Sequence, residues 1–241
     1  MTYTRYIRSC LVLLVFLLLF TIWVHPSSAA QDGQGNILIF WTEKERLKAV
    51  TLMTAQGRGN PVGIVAIPVY IRIDEGEQRV TISEAYARMG REGLTCRLEQ
   101  LFQTPIGSYL AVDQSTLEKA SRVFGPIIME GRTTSLAEVF EGSYTEGAIE
   151  PQSEVRALAA RLVEPKALMK APQVIMILTT EVRTNLGYRS IWNIYRIVEL
   201  QGPGVIHKRA LTGRDFYVGN RKYRDVAPDA WARALSDVTR V

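Results

Sequence analysis

The chain has 241 residues, of which 47% are hydrophobic, and 29 Lys and Arg face 24 Asp and Glu for a formal charge of +5. This is enough apolar material for one domain with a sizeable core. Setting aside Arg5 and Arg8 from the 29 basic residues leaves 27 against 24 acids, and no run of Lys and Arg forms a nucleic-acid arm.

Residues 1–30 read as a targeting segment. Arg5 and Arg8 form a positive start, Leu11 to Val24 are free of charge, and Pro26-Ser27-Ser28-Ala29-Ala30 offers small residues suited to signal peptidase. A cleaved signal peptide is the favoured reading, with an uncleaved membrane anchor as its alternative. Either way the basic start keeps the N-terminus in the cytoplasm and everything after it is exported. Localisation is expected at the extracytoplasmic face of the membrane or in the cell envelope. Cys96 is then the only cysteine of the exported part, so no internal disulfide forms. It sits among apolar helix positions and reads as a small core residue.

Residues 31–35 form a polar linker, and residues 36–241 form the domain. Asn36 to Trp41 and Leu47 to Thr54 read as strands. Gln56 to Pro61 is a breaker-rich turn, and Gly57-Arg58-Gly59 is too short for a phosphate loop. Gly63 to Ile73 reads as a third strand in which Pro68 marks a bulge or an end, because proline cannot donate to a ladder. Ile82, Ala85, Tyr86, Met89, Leu94, Leu98 and Leu101 recur at helical spacing, as one helix or as two broken near Gly90–Gly93. Tyr109 to Val112 is a short strand. Asp113 or Ser115 caps a helix that Gly125 ends.

Glu130 to Gln152 looks irregular. Ser153 to Val163 and Pro165 to Lys170 read as helical, and Val174 to Leu178 as a buried strand. Ile191 to Leu200 is an amphipathic helix on which Trp192, Tyr195 and nearby Tyr188 are packing residues. Gly204 to Leu211 and Phe216 to Tyr223 read as strands. A final helix spans Asp225 to Val238, capped near Pro228-Asp229. The mixture predicts an α/β domain, or the α+β variant, with a central mixed sheet flanked by helices. His207 is the one histidine of the exported part and reads as a structural surface residue, and no motif of a metalloprotease, serine hydrolase or nucleotide-binding loop occurs.

The order of these pieces resembles the LytR–CpsA–Psr family of cell-envelope proteins, the cell envelope-related transcriptional attenuator domain. Ile82-Ser83-Glu84-Ala85-Tyr86 resembles the family's K-I-N-x-A-Y segment. Leu98 to Phe102, Pro105-Ile106, Tyr109 and Val112-Asp113 resemble its helix, I-x-x-Y strand and V-D step. Leu117 to Lys119 and Phe124-Gly125 resemble its next helix and glycine end. Asn36 to Ile39 resembles the first strand, and Thr184-Asn185-Leu186 the late T-N-L segment. The resemblance implies an LCP-like fold and an outward-facing protein. Members transfer a glycopolymer from a polyprenyl-pyrophosphate carrier to peptidoglycan. That phosphoryl-type chemistry needs cations on the pyrophosphate, carboxylates for Mg2+ or for activating the acceptor, and an apolar pocket for the lipid.

The departures fall on those charged residues. Where the family has R-S-D-T this chain has Arg46-Leu47-Lys48-Ala49, and where it has I-P-R-D this chain has Ile67-Pro68-Val69-Tyr70. Thr81 stands in place of the lysine of K-I-N. Neither Val69 nor Tyr70 replaces an arginine fork. Arg46, Lys48 and Arg72 remain as candidates for gripping a phosphate or lipid. No catalytic residue and no metal ligand set is assigned. No cofactor follows from the residues themselves, whereas an active member would use Mg2+.

The leading expectation is a divergent exported protein that binds polyprenyl-phosphate lipid or envelope glycopolymer with impaired or no transferase activity. It would meet the membrane through its N-terminus if uncleaved, and would not bind nucleic acid. The alternatives are an active phosphotransferase with a rearranged site and a non-enzymatic envelope scaffold or interaction protein.

Overall fold

The computed structural model describes residues 35–55, 60–129, 132–135, 138 and 180–240. The targeting segment, the Gln56–Gly59 part of the turn, the Ser153–Val163 and Pro165–Lys170 helical readings, and the Val174–Leu178 strand lie outside them. Among the described residues no helix is long and apolar enough to cross a membrane.

A six-stranded mixed sheet forms the centre. Its strands are β1 (Gly35–Glu43), β2 (Arg46–Ala55), β3 (Val62–Ile67), β6 (Ser108–Asp113), β9 (Arg183–Thr184) and β10 (Ile206–Ala210), in the order β10-β3-β2-β1-β6-β9. β1, β2 and β3 form an antiparallel meander, while β6 joins β1 and β10 joins β3 in parallel. β4 (Ile71–Glu75), β5 (Gln78–Thr81), β11 (Arg214–Val218) and β12 (Arg221–Asp225) build a second sheet in the order β11-β12-β4-β5. β7 (Ile127–Met129) and β8 (Arg132–Thr134) make a separate hairpin.

One face of the central sheet carries the main core. Leu38, Phe40, Val50, Leu52, Val65 and Ile67 pack against Ile82, Ala85, Leu94, Leu98 and Phe102 of α1 (Ile82–Phe102) and against Trp231 and Val238 of α4 (Pro228–Thr239). Alternation along each strand delivers these residues to one side. Phe102 meets Trp231 edge to face at 5.1 Å between centroids. On the other face Ile197 and Ile194 of α3 (Tyr188–Gln201) pack with Ala55, Val62 and Ile206. The aromatic residues read as packing groups lie on α3, and their side chains are outside the described set.

Most boundaries fall where the sequence puts them, and four details differ. The expected third strand is two strands in two sheets, because Pro68 ends β3 and Ile71 begins β4. The expected Phe216–Tyr223 strand is a hairpin that reverses at Gly219, whose φ of 59° suits glycine. α1 runs through one kink at Gly90 (φ 68°, ψ −170°), which shifts the phase of its buried stripe. Cys96, two residues past buried Leu94, is thereby exposed rather than in the core. Asp113 caps α2 (Gln114–Phe124) by accepting from Ser115 N–H at 3.0 Å, and Gly125 closes it at φ 78°. α4 starts on Pro228 with no side-chain cap, and Asp229 instead pairs with Arg233 one turn on.

Candidate functional site

Three segments meet where the two sheets join. Pro68 stops β3, and Ile71 N–H donates to Pro68 C=O at 3.1 Å to close a turn. Val69, half-buried, packs its side chain against the main core, and its carbonyl accepts from Ser83 N–H at 3.1 Å. Tyr70 C=O accepts from Arg224 N–H at 3.1 Å, which ties β12 to the same turn. The Ile67–Tyr70 segment is thus held between the start of α1 and the β11–β12 hairpin.

Thr81 is the N-cap of α1. Its hydroxyl accepts from Glu84 N–H at 3.2 Å, while Glu84 Oε2 accepts from Thr81 N–H at 2.8 Å. This is a complete capping box. The bonds from Thr81, the backbone one foremost, hold the Glu84 carboxyl below its ordinary pKa, with Arg88 and Arg221 adding to the effect. Thr81 therefore has its own task, and the T-x-x-E pattern that announces it is present in the sequence.

Around Tyr70 every described cation has a carboxylate. Arg72 donates from Nε and Nη2 to Asp225 Oδ1 and Oδ2 at 2.9 and 2.8 Å, and lies 4.5 Å from the centre of the Phe216 ring. Arg79 pairs with Asp74 at 2.9 Å and with Asp225 at 3.4 Å. Arg224 grips Asp215 with Nε and Nη2, and gives its third nitrogen to Leu211 C=O at 3.0 Å. Lys222 reaches Asp215 at 2.9 Å and sits 5.0 Å from the Tyr70 ring centre, with the Arg224 guanidinium at 5.3 Å. The hydrogen bonds from Arg224 and Arg72 lower the pKa values of Asp215 and Asp225 respectively. Burial raises Tyr70, against the pull of Arg224, so its phenol stays neutral at neutral pH and offers no phenolate base.

The other charged region lies at the β1–β2 turn. Lys44 and Glu45 both take positive φ, 47° and 69°, a strained conformation for residues with side chains. Arg46 is exposed and has no partner among the described residues. Lys48 pairs with Glu43 at 2.8 Å, a contact that lowers the Glu43 carboxyl pKa. Asp113, at the neighbouring end of β6, accepts from Thr42 Oγ1 at 3.4 Å.

The three candidate cations are therefore not one constellation. Arg46 and Lys48 share a face of β2 in the central sheet, whereas Arg72 is on β4 of the second sheet, locked to Asp225. Lys222, Arg224, Asp215 and Asp225 were not anticipated from sequence. Their signal is the Arg-Asp pair before Gly219 and its counterpart, Arg224-Asp225, after it, spaced so that a two-residue reversal brings opposite charges together.

A cation such as Mg2+ finds no ready ligand set: among the described residues no three His, Cys, Asp or Glu side chains converge. Asp215 and Asp225 already hold arginine forks, so Mg2+ does not fit at the junction. An anion entering there would have to displace a carboxylate. Two open clefts lie elsewhere. One of ≈ 360 Å³ is lined by Arg122, Thr133 and Glu138, and one of ≈ 260 Å³ by Glu75, Met89, Cys96 and Arg97.

No family model and no curated protein matches this chain by sequence. Solved structures do match its fold. TagV of B. subtilis is similar at a TM-score of 0.68 and 16% identity, over 86% of this chain and 96% of that one. Lin1025 of Listeria innocua is similar at 0.62 and 14%, over 86% and 97%. A structure of TagT bound to LIIa-WTA is similar at 0.59 and 12%, over 89% of this chain and 92% of that one. Identities this low establish a shared fold.

Proposed function

We propose, from the LytR–CpsA–Psr fold that this chain adopts, that it is an exported cell-envelope protein. In this reading it binds a polyprenyl-phosphate lipid or an envelope glycopolymer and has lost most or all transferase activity. The observation that carries the proposal is the turn at Val69 and Tyr70. The two positions that would supply a phosphate-gripping arginine and a carboxylate supply a half-buried apolar side chain packed against the core and a neutral phenol. The cations nearest them are neutralised by Asp215 and Asp225. Stabilising a developing charge on a transferred phosphoryl group needs donors already aimed at it, and donors held by carboxylates are not. Binding is supported by the fold and by a solved neighbour, TagT, that holds LIIa-WTA.

The test is the purified chain incubated with a polyprenyl-pyrophosphate glycan, Mg2+ and peptidoglycan, with transfer and retention of the glycolipid measured separately. Retention without transfer is expected. Clear transfer would overturn the loss of activity, and absence of retention would overturn the binding. Transfer that collapses in Arg46→Ala would place the chemistry at the β1–β2 turn, where the one candidate cation without a partner among the described residues stands.

A further inference from the structure

β11 is the outer strand of the second sheet, and among the described residues only β12 pairs with it. Arg224 gives its N–H to Tyr70 C=O on the β4 side. The Asp215–Arg224 pair is therefore a non-hydrogen-bonded pair of the hairpin, and alternation makes Tyr217–Lys222 the next one. Asp215 and Tyr217 thus turn their backbone N–H and C=O groups outward, away from β12. Natural sheets blunt such an edge with proline, a bulge, charge or cover. β11 reads Arg-Asp-Phe-Tyr-Val, without proline and in unbroken register. Arg214 and Asp215 are exposed, Tyr217 is 64% and Val218 61% exposed, and Phe-Tyr-Val favours the strand state.

The edge is complementary to itself. We infer that two copies of this chain pair antiparallel through their β11 edges, about a two-fold axis at Phe216. Asp215 of each copy then faces Tyr217 of the other. Both residues have outward-turned groups, so each of the two equivalent pairs exchanges both of its N–H···O=C bonds. Phe216 stands beside the second copy's Phe216. Each already stacks on Tyr223, at 5.6 Å between centroids and 19° between planes, so the rings form one row across both hairpins. Arg214 faces Val218, and no charge meets its like. A parallel pairing would set Arg214 against Arg214 and Asp215 against Asp215, and a two-fold at Asp215 would oppose the aspartates. A two-fold at Tyr217 would run Asp215 into the Gly219 reversal. One short strand from each copy buries less than the roughly 1,200–2,000 Å² of a stable complex, so the dimer is weak and forms as concentration rises. The inference does not depend on what the domain binds or whether it transfers.

The test uses the full chain with Cys10→Ser and Cys96→Ser, in detergent micelles at rising protein concentration. Sedimentation should show the protein mass climbing from one chain towards two. With Phe216→Cys added, mild oxidation should give a disulfide-linked dimer, because a non-hydrogen-bonded cross-strand pair stands about 4.5 Å apart at Cα, within disulfide reach. Tyr217→Cys should not link to itself, being two residues out of register with its own copy, but should link to Asp215→Cys when the two variants are mixed. Tyr217→Pro removes an outward N–H and spares the β12 ladder. Tyr217→Glu leaves the backbone whole and opposes the second copy's Asp215 with a like charge. Both should hold the protein at the mass of one chain. A single-chain mass for the parent at every concentration would overturn the inference. So would a dimer that survives both Tyr217 variants, which would place the contact elsewhere. Disulfide yields from Leu200→Cys, an exposed apolar position on α3, equal to those from Phe216→Cys would overturn it too, as the mark of random collision.

Discussion

The two sheets of this domain are held by different physics. The central sheet is sealed by apolar side chains, with Leu38, Phe40, Leu52 and Val65 beneath α1 and α4. The second sheet is apolar on one side only. Ile71, Ile73 and Val80 join the core, whereas Arg72, Asp74 and Arg79 point away from it into charge pairs with one another and with Asp225. Burial of apolar area is non-directional, carries no titrating group, and is not weakened by charge screening. Paired charges are directional, and each is affected by protonation and screening. The second sheet, beside the Val69–Tyr70 turn, is the one in which paired charges join neighbouring strands.

The sharpest way to test this contrast is to damage each sheet in its own terms. Trp231→Ala empties the space against Phe102 and should cost roughly 3–5 kcal/mol. Denaturant midpoints at low and high salt should show that cost equally, and a loss confined to low salt would refute the apolar account. Asp225→Ala should cost less, about 1–2 kcal/mol allowing for partial exposure of the pair, because it strips Arg72 and Arg79 of a shared partner.

The sign of its pH dependence comes from the lowered folded-state pKa of Asp225. The stabilisation is complete above the ordinary carboxylate value of about 3.9 and is lost as pH falls through the lowered one. Between roughly pH 5 and 2 the parent should therefore lose more stability than Asp225→Asn, and parallel curves would show the bridge contributes nothing. Thr81→Ala sits at the seam of the two sheets. Losing the cap should cost about 1 kcal/mol, read from thermal unfolding, while leaving the Thr81 backbone N–H bond that contributes most to lowering the Glu84 pKa. An unchanged midpoint would mean the box is not used.

How legible each region was follows the same division. Strands β1, β2 and β6 and helices α1 and α2 could be read because apolar periodicity and caps are local signals, and Pro68, Asp113 and Gly125 act where they stand. Cys96 was misplaced because a helical stripe presumes a straight helix, and Gly90 rotates the stripe partway along. Of the three proposed cations the sequence supplied identities without partners. Arg72 looked available and is instead forked onto Asp225, a residue 153 positions away.

Local chemistry thus determined, from the sequence by itself, that a mixed sheet between helices forms, while the family resemblance alone implies a charged pair at the positions where Val69 and Tyr70 stand. The tertiary structure decided what replaced it. Only the folded chain brings β12 alongside β4, setting Arg224 and Lys222 over Tyr70 and Asp225 against Arg72. The Arg72–Asp225 pairing depends on distance across the fold, which spacing along a chain does not encode.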